Sequence, residues 1–213
     1  MSNYYNTRYI FDQGRSKVWK AISEYLQKYV DQKNDCVLDL GCGYADFINN
    51  IKASRKIAVD INADAKKYCK KDVLFLNESV DHLKAIKKSS VNVIFASNLL
   101  EHLDDRELRS LTKEINRILI KNAYLILLQP NFKYAYREYF DDYTHKKIFT
   151  HISLKDYFEA NEFIAIKVIE KFLPISLKSR LPKSYILTKL YIASFYKPLA
   201  KQMLLVFKKK INL

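Results

Sequence analysis

The sequence predicts an α/β fold: seven strands in an open, mostly parallel sheet with helices on both faces. Two observations lead there. Seven short apolar runs alternate with stretches of helical periodicity, as strands joined by crossover helices do. The first run also ends in a glycine turn, Asp39-Leu40-Gly41-Cys42-Gly43, and the second ends in an acid, Asp60.

Val18, Ile22, Leu26 and Tyr29 recur three or four residues apart, which predicts an amphipathic helix over 14–31. Strands are expected at 36–40, 56–60, 73–76, 91–96, 124–128, 163–172 and 203–208. Helices are expected at 45–52, 62–71, 79–88, 106–120 and 154–160, the fourth with apolar positions at 108, 111, 115, 118 and 119. Two long connections interrupt the alternation. Residues 130–150 are aromatic and charged, and 173–200 contain three of the four prolines. Connections of that length inside a compact domain usually carry function or form lids.

The 213 residues suit one domain with four parts: an N-terminal helical segment (1–33), a core (34–172), a basic amphipathic insertion (173–200) and a last strand (201–213). An apolar fraction of 49% with only three glycines excludes disordered and collagen-like chains. Three cysteines without ligand-like spacing exclude a disulfide framework or zinc module. No secretory h-region opens the chain, and no stretch reaches the ~18 apolar residues of a membrane span. A reduced, cytoplasmic protein is therefore expected. Net charge is +14, and residues 171–213 hold ten Lys or Arg with no Asp or Glu. Such a tail calls for an anionic surface nearby.

A glycine turn between strand and helix lets a ligand approach the backbone and meet helix N–H groups. An acid at the end of the next strand, 17 residues after Gly43, can accept two hydrogen bonds from a ribose diol. VLDLGCGYADF, IAVDIN, VNVIFASNLLEHL, LTKEINRILIKNAYLILLQPN and YFDDYTHKKIFT, in that order, resemble class I S-adenosylmethionine-dependent methyltransferases with a Rossmann-like sheet, from about residue 34 to residue 172. The resemblance implies S-adenosylmethionine as cofactor. Asp39, Gly41, Cys42 and Gly43 would line its methionine and ribose, and Asp60 and Ile61 would meet the ribose end. Ser79 and Val80 would flank the adenine, and Ser97 and Asn98 would close the site beneath the methyl group.

There are departures from the family pattern. Ala45 replaces a common third glycine, Ser79 stands where an acid often meets the adenine amine, and Asn92 replaces a frequent Asp. Lys121-Asn122-Ala123 replaces a Pro-Gly-Gly turn, which Asn can still form in a left-handed conformation. The competing dinucleotide-binding motif would need glycine at Asp46, where a helix must pack closely on the sheet.

Methyl transfer requires alignment and sometimes a base. Three residues are candidates. His145, on the connection after the fifth strand, is either a general base or a loop-pinning side chain. Glu101 and His102 follow the fourth strand and either take part in catalysis or cap the next helix. Some relatives bind a divalent metal through Glu-x-x-Glu-His and a later His. Asn98 replaces the first of those acids, which leaves Glu101, His102 and His145 as possible ligands of a weakened site, and no metal is expected. Tyr4, Tyr5, Tyr9 and Arg15 would form a lid or pack on the first helix.

The expected reaction is methylation, by O-methylation, of a small-molecule, glycan or lipid-linked acceptor. The basic segment 173–210 suits peripheral association with an anionic membrane, with a solvated sheet edge and nucleic acid as the other readings. An RNA methyltransferase and a non-catalytic scaffold of the same fold are the competing functions.

Overall fold

A computed structural model describes residues 13–174 and 183–210. One seven-stranded sheet organises them: β1 Cys36–Leu40, β2 Arg55–Val59, β3 Val73–Leu76, β4 Val91–Ser97, β5 Leu119–Pro130, β6 Phe163–Pro174 and β7 Ala200–Lys209. Their order is β3-β2-β1-β4-β5-β7-β6. β1 to β5 are parallel, and β7 runs antiparallel between β5 and β6. The chain steps from β1 outward to β3 and then returns to β4 on the other side of β1. The crevice over the carboxyl ends of β1 and β4 is thus the place where such sheets take ligands.

The central strands read as unbroken apolar runs because both faces are covered. Val37, Ala58, Val93, Phe95 and Ile126 face one core, which α1 (Gln13–Leu26) closes with Val18, Trp19, Ile22 and Leu26. Leu38, Leu40, Ile57, Ile94 and Leu125 face the other. That core is closed by Leu108, Leu111, Ile115 and Ile118 of α3 (Asp105–Ile118), the positions the periodicity marks.

Local chemistry sets the element ends. Asp104 caps α3, accepting the N–H groups of Arg106 and Glu107, while Glu107 accepts the N–H of Asp104. Thr150 does the same for α5 (His151–Glu159) with Ser153. Lys121-Asn122-Ala123 is not a turn before the fifth strand but lies inside β5, where pairing with β4 is irregular and Asn122 adopts a left-handed φ of 62°. Two short helices complete the set, α2 (Asp46–Asn50) after the glycine turn and α4 (Phe132–Ala135) in the long connection. α6 (Tyr185–Ala193) lies in the basic insertion.

Several expectations need correction. Residues 79–88 are not a helix. Val80, Leu83 and Ile86 are buried at helix-like spacing, but α3 takes over their backbone partners. Arg117 donates to the carbonyls of Ile86 (2.8 Å) and Leu83 (2.7 Å), Glu114 accepts the Leu83 N–H, and Ser110 donates to the Asp81 carbonyl. Two isolated turns, His82 N–H to Ser79 and Ile86 N–H to Leu83, remain. The helix expected at 62–71 is a 3-10 helix over Ala63–Tyr68, capped by the Asn62 side chain. The first helix after the glycine turn is only five residues long. The insertion is narrower than 173–200, since β6 runs to Pro174 and β7 starts at Ala200. Among the described residues no helix is long and apolar enough to cross a membrane.

Candidate active site

Leu40 ends β1, and the next two amides, Gly41 and Cys42, both donate to the Val59 carbonyl at the end of β2 (2.9 and 3.1 Å). The chain therefore turns sharply over the crevice. Gly41 takes φ +65°, and a methyl group there would meet Leu99 Cδ1 at 3.1 Å. Gly43, also left-handed, donates its N–H to Asp60 Oδ2 at 2.8 Å. Asp60 Oδ1 accepts the Asn62 N–H at 2.8 Å, so the acid is oriented from both sides. Ile61, beside it, is 59% exposed, an apolar face held open next to a buried acid.

Asp39 is buried and receives the Ile48 N–H of α2, an amide near the helix start with no partner of its own in the helix. Burial, and then the neighbouring Asp60 carboxylate, push Asp39 well above the usual carboxylate range. The Cys42 thiol hydrogen-bonds Cys69, and that bond together with burial raises its pKa, while Cys69 is lowered by the same bond. Both are free thiols. Ser79 stands half-buried at the loop after β3, whereas the Val80 side chain turns into the core with Leu83.

At the end of β4, Asn98 adopts φ +47° and accepts Gln202 Nε2 at 2.7 Å, while its own amide donates to Ser97 Oγ at 3.2 Å. Arg15 pairs with Asp46 and lies over the Tyr44 ring at 5.3 Å. Asp46, where a dinucleotide motif would need glycine, thus ties α1 to α2. Tyr4, Tyr5 and Tyr9 lie outside the described residues.

Glu101 and His102 sit in a 3-10 turn and do not cap α3, because Asp104 does. They meet His145 instead. The side-chain ligand atoms of Glu101, His102 and His145 all lie within 4.8 Å of one another, and the two imidazoles stand 4.9 Å apart. The Glu101 carbonyl accepts the N–H groups of Lys146 and Lys147 (2.8 and 3.1 Å), which fastens the later loop to the turn. Tyr139 packs on His145 at 4.6 Å.

Thr144 sets the tautomer of His102. Its one hydroxyl proton goes to Asp142 Oδ1 (2.7 Å), so at 2.9 Å it accepts from His102 Nδ1–H. In the neutral ring, Nε2 then carries the lone pair. Burial, followed by the charge of His145, lowers the His102 pKa to about 4. Burial raises Glu101 to about 8, so this acid is protonated at neutral pH. The trio has the donor types of a divalent-metal site, but Asn98, at the place of a further acid, is committed to Gln202.

Four contributors carried no motif. Asn77 donates to the carbonyls of Asp60 and Ile61 (2.9 Å each) and sets the loop after β2. Asp81 accepts the Ser79 hydroxyl and supplies an acid two residues from the expected position. Gln129 binds the Leu99 and Leu100 N–H groups and the Ala96 carbonyl. Gln202 comes from the last strand. The only signal in the sequence was the pair of amides at the ends of β5 and β7.

Fold and crevice together define a nucleoside-binding α/β domain. The methyltransferase-domain profile matches residues 11–166, so the chain belongs to the methyltransferase-domain family and is a class I enzyme whose methyl donor is S-adenosylmethionine. An uncharacterized protein of Methanocaldococcus jannaschii is 33% identical over 196 residues, covering 91% of this chain and 82% of its own. Among solved structures, a SAM-dependent methyltransferase of Archaeoglobus fulgidus superposes with a TM-score of 0.68 at 21% identity, over 91% of this chain and 94% of its own. A Pyrococcus horikoshii protein reaches 0.70 at 14% identity, over 99% and 100%. The geranyl diphosphate C-methyltransferase of Streptomyces coelicolor reaches 0.63 at 13%, over 90% and 80%. These three share the fold.

Proposed function

We propose that this methyltransferase moves a methyl group from S-adenosylmethionine to a hydroxyl of a small-molecule, glycan or lipid-linked acceptor. On this reading Asp60 accepts the ribose hydroxyls, and the turn Gly41-Cys42-Gly43 with Asp39 borders the ribose and methionine. Ile61 covers one face of the adenine. Ser79, joined by Asp81, meets its polar edge, with Val80 backing that loop from the core. Ser97 and Asn98 lie below the sulfonium. The acceptor oxygen attacks the methyl carbon, the carbon–sulfur bond breaks in line, and S-adenosylhomocysteine leaves. His145 takes the hydroxyl proton. Glu101 and His102, both neutral at pH 7, hold the acceptor by hydrogen bonds.

The observation that carries this reading is the convergence of Glu101, His102 and His145 from two loops at the donor-binding edge of the sheet. Two neutral hydrogen-bonding groups beside an imidazole suit a hydroxyl acceptor, which must lose its proton as it is methylated. The test is transfer of labelled methyl to cell extract divided into lipid, glycan, RNA and protein fractions. Label is expected in the lipid or glycan fraction, alkali-stable as an ether. Label confined to RNA or protein would overturn the acceptor class.

A further inference from the structure

Among the described residues, the insertion between β6 and β7 exposes six large apolar side chains, and the connection after β5 exposes a separate set that includes Tyr136, Phe140 and Tyr143. α6 is two-sided: Thr188 and Ile192 are buried against α1, while Ile186, Leu187 and Leu190 are 65%, 49% and 63% exposed. The chain after it exposes Phe195 (105%), Tyr196 (77%) and Leu199 (66%). Residues 184–198 are tied down by hydrogen bonds. Ser184 caps the helix, Tyr191 donates to the Pro198 carbonyl at 2.6 Å, Ser194 donates to the Tyr196 carbonyl at 2.8 Å, and Tyr185 and Lys189 both reach Glu24 of α1.

Its own charged residues are all basic, and the acid it meets, Glu24 of α1, is paired with Lys189 at 3.3 Å. Lys183, Lys189 and Lys197 lie within it, Lys20 of α1 stands 5.1 Å from the Tyr185 ring, and residues 171–213 contain no acid. Exposed apolar side chains set among lysines are what binds an anionic bilayer interface, the apolar groups entering the acyl boundary and the cations meeting the headgroups. The chemistry disfavours the other occupants. Four of the six exposed groups are aliphatic and have no face on which a base could stack. A second copy of the same patch would bring two sets of like charge together.

We propose that Ile186, Leu187, Leu190, Phe195, Tyr196 and Leu199 form a docking face for the surface of an anionic lipid bilayer. The topology gives that face a use. β6 ends at Pro174 paired with Ala200, and Gln202 of β7 pairs with Pro130 at the end of β5. The insertion therefore leaves and rejoins the sheet at the same edge as Asp60 and Asn98. Docking turns the acceptor side toward the membrane, so an acceptor anchored in lipid reaches the site by diffusion in two dimensions. Only this last consequence rests on the acceptor reading above; docking itself does not.

The test is flotation of the full chain with phosphatidylcholine vesicles, with and without phosphatidylglycerol. The chain is expected to float with the anionic vesicles and to stay largely behind with the neutral ones. Phe195→Asp with Leu199→Asp should lower the anionic partition coefficient by at least about tenfold. Both positions are exposed, so the melting temperature and S-adenosylmethionine affinity should not change. The milder pair Phe195→Ser and Leu199→Ser should show an intermediate loss. No binding by the unaltered chain, or binding that both variants retain, overturns the proposal. So does a dimer, seen by light scattering, that the variants abolish, or RNA binding that they abolish while vesicles are ignored. Donor affinity measured in parallel separates failure of the docking face from failure of the methyltransferase site.

Discussion

The Asp60 carboxylate accepts the backbone N–H of Gly43 at 2.8 Å, joining the end of β2 to the turn that follows β1. The bond fixes the acid and the glycine turn as one unit. Asp60→Ala should therefore remove the diol acceptor and loosen the turn together. Each hydrogen bond to a charged group is worth about 1.5–3 kcal/mol, so donor affinity should fall by about a hundredfold or more in titration calorimetry. Unchanged affinity would remove Asp60 from the ribose.

Gly41→Ala places a side chain at φ +65° against Leu99. The left-handed conformation alone costs about 1–2 kcal/mol for a residue with a Cβ. An unfolding free energy lowered by that amount is expected in urea titration, seen as a lower midpoint at unchanged slope. Adding Leu99→Ala should not restore it, because the larger part of the cost lies in the backbone.

The raised pKa of Glu101 makes stability depend on pH. Its folded value of about 8 exceeds its ordinary 4.5, so its contribution is fully present below pH 4.5 and is lost as pH rises through 8. His102, lowered from 6.5 to about 4, acts in the opposite sense, contributing above 6.5 and losing that contribution as pH falls through 4. Glu101→Gln isolates the first effect. The stability of the variant relative to the unaltered chain should rise between pH 5 and 8 at roughly 1.4 kcal/mol per unit. A constant difference across that range would mean that Glu101 is not buried as a neutral acid.

His145→Gln should lower kcat by about a hundredfold or more if the imidazole removes the acceptor's proton. Donor affinity should be unaltered. A loss recovered at high pH, where the acceptor ionises without help, would separate a base from a residue that only holds the loop.

Arg117→Met should destabilise by about 1–3 kcal/mol, because the buried carbonyls of Leu83 and Ile86 lose their donor. Hydrogen exchange should show the loosening confined to residues 79–90 and the facing turn of α3.

The sheet was legible in the sequence because burial on both faces writes each parallel strand as an apolar run, and the donor turn was legible because left-handed backbone calls for glycine. The segment at 79–88 misled for a physical reason. Val80, Leu83 and Ile86 have the spacing of a helix face, but Arg117, Glu114 and Ser110 satisfy the backbone from 30 residues away, which no local pattern records. Glu101 and His102 resembled helix-capping residues because they precede α3. The resemblance to relatives already grouped them with His145, and the fold shows the three side chains meeting. Asn77 and Gln129 act through side-chain amides on main-chain groups, and Gln202 acts on the side chain of Asn98, a chemistry with no spacing rule.

The strand that comes last in chain order lies inside the sheet. β6 has no neighbour until β7 slides in beside it, so a ribosome must deliver residues near 209 before the outer strand β6 can settle. Assembly of this half of the protein thus waits on late, long-range pairing, while β1 to β5 can form on the emerging chain. A nascent chain stalled at Pro174 would hold a nearly complete cofactor crevice and an unzipped flank.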